Sequence, residues 1–320
     1  FLNEHSELLD EWLEAPDADK IKAALNIEGE EASLRRDDFP VNLAIDLEAI
    51  DSGVTGLSIK FGGFFNLIKD LLNNFVGSIN SILLLIPWFV LVIGVIIGMW
   101  RMSGKWITSI FYGLLLFLIG AVGLWSLMLE TLSIIIVSVI IALVLGFPIG
   151  VLVSASDRLD KILRPVLDTM QTMPVFVYLI PAMVFFGLGK PPAVIATTIY
   201  AIVPMIRLTN HGIRQIDKEV IEAAHAFGST KMQTLIKVQI PQALPTIMTG
   251  VNQTLMMAMS MVVTTSMIGA SGLGMEVLIS VTRVVMGRGL VSGTAVVIIA
   301  IILDRITQGL IKKSEVNGRE

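Results

Sequence analysis

Few residues in this sequence could carry covalent or metal chemistry. None of the 320 residues is a cysteine, which removes disulfides, thiolate nucleophiles and cysteine metal sites. The three histidines, His5, His211 and His225, are scattered, and neither His211 nor His225 has acidic or histidine neighbours at metal-ligand spacing. Both read as solvated or capping residues. Gly269-Ala270-Ser271-Gly272 has the form of an intramembrane serine nucleophile, but such a serine needs a histidine base within hydrogen-bond reach, and no histidine lies in an apolar run. A glycine-rich turn accounts for Gly269, Gly272 and Gly274 instead. A phosphate loop is also missing. Five residues separate Gly98 from Gly104-Lys105 where four are needed, and Trp106 stands where Ser or Thr would hold magnesium. The expectation is a chain that binds no metal, nucleotide or other cofactor of its own.

What remains is neutral or soft. Gln253, Met257, Ser260, Thr264 and Met267 recur at steps of four and three inside an apolar run. Such a stripe can line a path through a membrane, because polar groups facing lipid are costly. It can equally be helix packing, with amide and hydroxyl groups bonding across helices and Met as adaptable filler. Trp125, Phe176, Tyr178 and Tyr200 offer aromatic faces of the kind that attract quaternary ammonium groups, although their spacing shows no cage. Asp304 and Arg305 read as an interfacial charge pair, with proton coupling as the alternative.

The elements that must position these residues are membrane spans. A composition of 54% hydrophobic and 16% charged residues, with mean hydropathy +0.79, does not describe a soluble chain. Predominantly apolar runs of the length that crosses a bilayer fall at 82–100, 107–129, 131–153, 173–189, 191–209, 246–270 and 290–310, which predicts seven spans. Pro174, Pro181 and Pro204 predict kinks in the fourth and fifth. Lys and Arg resist translocation, so their loops face the cytoplasm. Arg101 and Lys105, then Arg158, Lys161 and Arg164, then Arg214, Lys218, Lys231 and Lys237, and finally Lys312, Lys313 and Arg319 all fall on one side. The N-terminus is then outside and the C-terminus cytoplasmic.

Charge divides the chain as well. Residues 1–80 hold 16 acidic and 6 basic side chains, and residues 81–320 hold 11 and 17. Residues 1–55 read as a weakly ordered acidic extracytoplasmic tail. Over 56–80, apolar Ile59, Phe61, Phe64, Phe65, Ile68, Leu71, Leu72 and Phe75 alternate with polar residues, which predicts an amphipathic helix lying at the membrane interface. Residues 81–130 read as two accessory spans and 312–320 as a cytoplasmic tail.

The longest polar segment between spans, 210–245, is the informative one. Asp217 is placed as an N-cap with Glu219 in the first turn, Val220, Ala224 and Phe227 repeat at helical spacing, and Gly228 suits a left-handed stop. A second short helix is predicted from Thr230, with Gln233 completing a capping box, to a stop before Pro241. Two short helices joined at a glycine form a knob on the cytoplasmic face. Glu222-Ala223-Ala224, then Gly228, then Val238-Gln239-Ile240-Pro241 after nine residues resembles the coupling-loop signature of permease subunits of ABC importers.

Further strings, Gln171–Pro181, Ile206–Ile213, Lys237–Val263 and Ser266–Gly274, are similar to the permeases of the glycine betaine/proline betaine importers of osmoprotection. The resemblance covers about Thr131 to Gln308. It implies an all-α polytopic bundle of the type I ABC importer permease fold, with 131–311 as its core. It implies no enzymatic activity and a location in a bacterial or archaeal inner membrane. The partners implied are two copies of a separate ATPase that holds ATP and magnesium, an extracytoplasmic binding protein and a second copy of the chain, in a lipid bilayer and without nucleic acid. Glu222 would anchor the coupling helix in the ATPase, Ala223 and Ala224 would keep it slim, Gly228 would supply its turn and Pro241 would close the motif. Gln253, Met257, Ser260, Thr264, Tyr178 and Tyr200 are the translocation-path candidates. The alternatives are an importer permease for choline or an amino acid, and a stand-alone secondary transporter.

Overall fold

The computed structural model describes residues 47–317, so most of the expected acidic tail, residues 1–46, and residues 318–320 lie outside them. Among the described residues all regular structure is helical. In chain order the helices are α1 Leu47–Lys60, α2 Gly62–Leu85, α3 Trp88–Ser103, α4 Trp106–Ala121, α5 Trp125–Ser154, α6 Asp157–Thr172, α7 Phe176–Phe186 and α8 Lys190–Arg214. They continue as α9 Lys218–Ala226, α10 Lys231–Thr234, α11 Ile240–Ser260, α12 Val262–Ser266, α13 Leu273–Thr282 and α14 Met286–Asn317. The residues from Thr55 onward form one compact unit.

Helix α8 packs between α5 and α11, and glycine sets how closely. A Cβ at Gly150 of α5 would stand 2.6 Å from Thr209 Cβ and 2.9 Å from the Ile206 carbonyl oxygen. One turn earlier, a Cβ at Gly146 would stand 3.0 Å from Ile202 and Met205, and on the other side of α8 one at Gly250 of α11 would stand 3.1 Å from Leu208. Backbones that approach this closely gain dispersion contacts that larger side chains would forbid, the usual basis of helix association where water supplies no hydrophobic drive.

The bundle has two distinct ends. At one, Lys190 pairs with Glu130 at 3.6 Å, the Gly189 N–H donates to the Ile268 carbonyl at 2.9 Å, and the Leu273 N–H donates to Thr131 Oγ1 at 2.8 Å. At the other, helix α6 is held across the end of α8. Arg214 Nη1 donates to Asp157 at 2.5 Å, Asn210 Nδ2 to Asp160 at 2.7 Å, and Arg207 pairs with Asp168.

The helix bounds depart from the sequence expectation. Among the described residues, three helices are by themselves long and apolar enough to cross a membrane, α5, α8 and residues 286–311 of α14; the bent pairs α2/α3 and α6/α7 can each supply one more, and α4 and α13 are shorter apolar helices. The run 82–100 is divided at Pro87, where α2 and α3 meet at 91°. The run 107–129 is divided at the turn 122–124, so Trp125–Glu130 belong to the long α5. Pro174 lies at the 96° break between α6 and α7, which leaves α7 only 11 residues. Pro181 and Pro204 sit inside continuous helices. A hydropathy window registers apolar content and is blind to such backbone breaks.

The segment 56–80 is revised too. Helix α2 is not a lone amphipathic rod but packs on α5, α7 and α8. Leu72 and Val76 are buried, Phe65 stacks on Phe185 with ring centroids 4.8 Å apart, and Asn80 Oδ1 accepts from Ser133 Oγ at 3.3 Å. Phe64, Leu67 and Leu71 remain exposed, so α2 is apolar on two faces rather than one.

Candidate functional site

The knob between α8 and α11 is built from backbone chemistry that its sequence specifies. Helix α9 ends at Phe227, and Gly228 follows at φ +84, the left-handed region that glycine enters without penalty. The Gly228 N–H then donates to the His225 carbonyl at 2.9 Å and the Ser229 N–H to the Ala224 carbonyl at 3.2 Å, the paired bonds of a Schellman stop. Ser229 Oγ donates to the Ala224 carbonyl at 2.6 Å and lies 2.7 Å from Thr234 Oγ1, which clamps α9 to α10. The capping box at α10 is complete: the Gln233 N–H donates to Thr230 Oγ1 at 3.3 Å and the Thr230 N–H to Gln233 Oε1 at 2.9 Å.

Two local expectations are corrected. Asp217 occupies the N-cap position of α9 but its side chain makes no capping bond; its backbone carbonyl accepts from Val220 N–H at 3.2 Å instead. Nor does the second helix stop before Pro241. It passes through a π-turn over Leu235–Gln239 directly into α11, where Pro241 falls in the first turn. Proline has no N–H to give and its ring crowds the preceding turn, and the wider π-turn takes up both.

The knob presents an exposed face. Glu222, Ala223 and Gly228 are exposed, Ala224 is half-buried, and Pro241 is exposed at the base. The Glu222 carboxylate has no hydrogen bond or ion pair among the described residues. Phe227 is 94% exposed. Its place in the apolar repeat with Val220 and Ala224 predicts an inward-facing side chain, yet it points away from the bundle. No residue of α9 is buried. A fully solvated phenylalanine beside a free carboxylate, on a helix whose C-terminal end is clamped through Ser229, is the composition of a docking contact.

Comparison with known proteins decides the family. Residues 138–315 match the binding-protein-dependent transport system inner membrane components. The chain belongs to this family. It is 47% identical over 269 residues to the glycine betaine/carnitine transport permease protein of Listeria monocytogenes, an alignment covering 83% of this chain and 95% of that one. It is 45% identical to the glycine betaine transport system permease protein of Bacillus subtilis (85% and 96% covered) and 43% identical to the glycine betaine/proline betaine transport system permease protein of Escherichia coli (85% and 75%). In fold it is similar to the inward-facing MetNI methionine ABC transporter, with TM-score 0.54 at 23% identity over 60% of this chain and 95% of that one. The chain is thus an inner-membrane transport component with the type I permease fold.

In this permease the stripe on α11 and α12 is a surface rather than a packed seam. Gln253 and Ser260 are exposed, Met257 and Thr264 are half-buried, and Met267 is 54% exposed. Tyr178 and Tyr200 form a separate joint. Their rings meet edge to face at 6.1 Å, Tyr178 is buried, and its hydroxyl donates to the Met170 carbonyl. They are a packing contact among α6, α7 and α8 and not an open aromatic cage.

The expected Asp304–Arg305 pair does not form. Asp304 instead accepts from Asn252 Nδ2 at 3.1 Å and from Gln308 Nε2 at 2.7 Å, while Arg305 Nη1 donates to Gln308 Oε1 at 3.3 Å. Thr307 donates to Asn252 Oδ1, so the cluster ties α11 to α14 through amides. Adjacent residues on a helix point about 100° apart, which is why chain neighbours make poor partners. At the knob end, the Arg214 guanidinium is hydrogen-bonded to Asp157 and holds that carboxyl below its ordinary value. Both histidines are exposed; His211 lines the cleft between α6 and α8, and His225 Nδ1 lies 3.1 Å from the Ser229 carbonyl oxygen. No group of three or more metal-ligating side chains occurs among the described residues.

Proposed function

We propose that this permease is the membrane subunit of an ATP-driven importer of glycine betaine, proline betaine or a closely related methylated zwitterion. The solute is delivered by an extracytoplasmic binding protein. Two copies of a separate ATPase, which hold ATP and magnesium, seat on the α9–α10 knobs of two copies of the chain. The observation that carries this reading is the knob itself: Glu222 unpaired, Phe227 94% exposed and Gly228 at φ +84 on a rigid two-helix projection. Nothing in the bundle needs such a projection, and a groove in a partner does.

The solute class is carried from the relatives' names at 43–47% identity. The orientation, with the N-terminus outside and the knob cytoplasmic, is supported by the basic loops that collect at the knob end. A second copy is supported by the exposed stripe. Gln253 and Ser260 would be costly against lipid, and between two copies they face each other across a path, with Met257, Thr264 and Met267 beside them. Neutral hydroxyl, amide and thioether groups would let a zwitterion pass without trapping it.

The test is uptake of labelled glycine betaine into proteoliposomes holding this chain, its ATPase and its binding protein, beside a Glu222→Ala variant. ATP-dependent uptake that the variant loses is the expected result. Uptake that needs neither ATP nor partners would replace this reading with that of a stand-alone carrier. ATP-driven uptake confined to choline or an amino acid would move the substrate.

A further inference from the structure

Below the knob lies a cavity of 670 Å³, roofed by α9 and α10 and walled by the ends of α5 and α8. Its walls are apolar, with Leu152, Ile213 and Ile221 among them. Its charged lining is of one sign. Arg214, Lys218 and Lys231 face it and no aspartate or glutamate does. Arg214 is already occupied by Asp157 at 2.5 Å and the Val153 carbonyl at 3.0 Å. Lys218 and Lys231 have no ion-pair partner among the described residues, and the acids of the same helix, Glu219 and Glu222, do not line the cavity.

This combination selects its occupant. Two uncompensated ammonium groups ask for an anion, while the apolar wall asks for hydrocarbon. A soluble phosphate would answer the lysines and leave the wall wet; an acyl chain alone would cover the wall and leave the lysines unpaired. Position decides between protein and lipid. Leu152, which lines the cavity, is 61% exposed near the end of the 30-residue apolar helix α5, at the level where a membrane-spanning helix leaves hydrocarbon.

We infer that this cavity binds an anionic membrane phospholipid, with the headgroup phosphate between Lys218 and Lys231 and the first methylenes of the acyl chains along Leu152 and Ile213. The inference rests on the reading of the knob face as the cytoplasmic membrane face. The lipid then braces the knob against α5 and α8 from beneath, on the side away from Glu222 and Phe227.

The experiment counts lipid retained by the purified full chain in native mass spectrometry after equilibration with equal amounts of phosphatidylglycerol and phosphatidylcholine. Wild type is compared with the Lys218→Ala/Lys231→Ala double variant and with Lys237→Ala, which removes a charge from the same knob outside the cavity. Wild type should prefer phosphatidylglycerol. The double variant should hold it about 30-fold more weakly, the factor that follows from about 1 kcal/mol per lysine at an anionic surface. Lys237→Ala should match wild type.

Equal retention by the double variant and Lys237→Ala overturns the inference, as does the absence of a headgroup preference. Full displacement of the lipid by excess glycerol phosphate would assign the site to a soluble phosphate and overturn it too. A double variant that keeps the lipid but loses the ATPase would give the cavity to that partner, again against the inference. Both lysines are exposed, so the double variant should keep the wild-type melting temperature. Transport plays no part in this readout, so a failure of the import reading in the uptake assay would leave the lipid count intact.

Discussion

Replacing Phe227 by alanine separates a partner contact from a structural one. The side chain is 94% exposed, so its removal takes almost no buried surface from the folded chain and should leave the stability of the isolated permease within about 0.5 kcal/mol of wild type, with little change in melting temperature. If the ATPase buries the ring, the loss appears there. Full burial of a phenylalanine side chain is worth about 1.5–3 kcal/mol, and for Phe→Ala at a desolvated contact we take about 2–3 kcal/mol. At about 1.4 kcal/mol per tenfold, the Kd for the ATPase should rise roughly 30- to 140-fold. The assay is equilibrium binding of the ATPase to the full-length permease in lipid nanodiscs, with thermal unfolding of the permease alone as the control. A Kd within threefold of wild type would refute the reasoning, because Phe227 would then be solvated in the complex as well. A large fall in melting temperature would refute it differently, by giving the ring a structural role.

The remaining predictions concern the knob hinge, the glycine-packed core, the polar cluster and the α6–α8 clasp. Gly228→Ala places a Cβ in left-handed backbone at a cost of about 1–2 kcal/mol, whereas Gly228→Asn should cost less, so ATP-dependent uptake should fall in the order Gly, Asn, Ala; equal uptake by all three would remove the hinge argument. Gly150→Ala drives a Cβ to 2.6 Å from Thr209 and should destabilise by about 1–3 kcal/mol, while Gly98→Ala, with nothing within 4 Å of its Cβ, should be neutral or stabilising; thermal unfolding of the two variants should separate them. Asp304→Asn exchanges one acceptor oxygen for a donor facing the amides of Asn252 or Gln308 and should lower stability by about 1 kcal/mol, with the pH profile of uptake unchanged. A lost pH dependence would restore proton coupling. Because the Asp157 carboxyl is held below its ordinary value by Arg214, the pair should persist from neutral pH downward and part only as pH falls through that lowered value. Cross-linking between cysteines introduced on α6 and α8, in a chain that has none, would report it, and loss of the cross-link near pH 6 would contradict it.

The parts legible from sequence were those written in short-range backbone chemistry. The Gly228 stop and the Thr230–Gln233 box need only residues three to five apart, and both are made as their spacing requires. Hydropathy located the apolar runs but could not place their ends. Pro87 and the turn 122–124 break the chain inside runs that stay uniformly apolar across the break. Phe227 misled for a related reason: helical spacing assigns a face, and only the packing shows that α9 has no buried one. The Asp304 partners were out of reach because the nearest charge in sequence, Arg305, is not the nearest group in space; Asn252 lies 52 residues away on another helix.

The distribution of tight and open contacts also bears on where a transport motion can occur. Helices α5, α8 and α11 are held by close glycine approaches, which leave no space for a methyl group at Gly150 and little at Gly146 on one side of α8 and at Gly250 on the other. Interfaces of this kind do not slide by small amounts, because every displacement meets an adjacent side chain. Helix α8, 25 residues and about 37 Å long, therefore carries any movement of the knob to the far end of the bundle as a rigid lever. There it is fastened again, by Lys190 to Glu130 and by Gly189 to Ile268. One face left unpacked is that of α11 and α12 bearing Gln253, Ser260 and Met267. On the proposed reading, a partner pushing on Phe227 and Glu222 should move the trio as one body, and the change should appear at that face, where the proposed second copy would meet the first. Cysteines at Glu130 and Lys190, bridged across α5 and α8 by a short thiol-reactive linker where the native side chains meet at 3.6 Å, should accordingly leave transport intact, whereas cysteines joined between two copies at Ser260 should stop it. Arrest by the cross-link within one copy would show instead that the trio itself deforms.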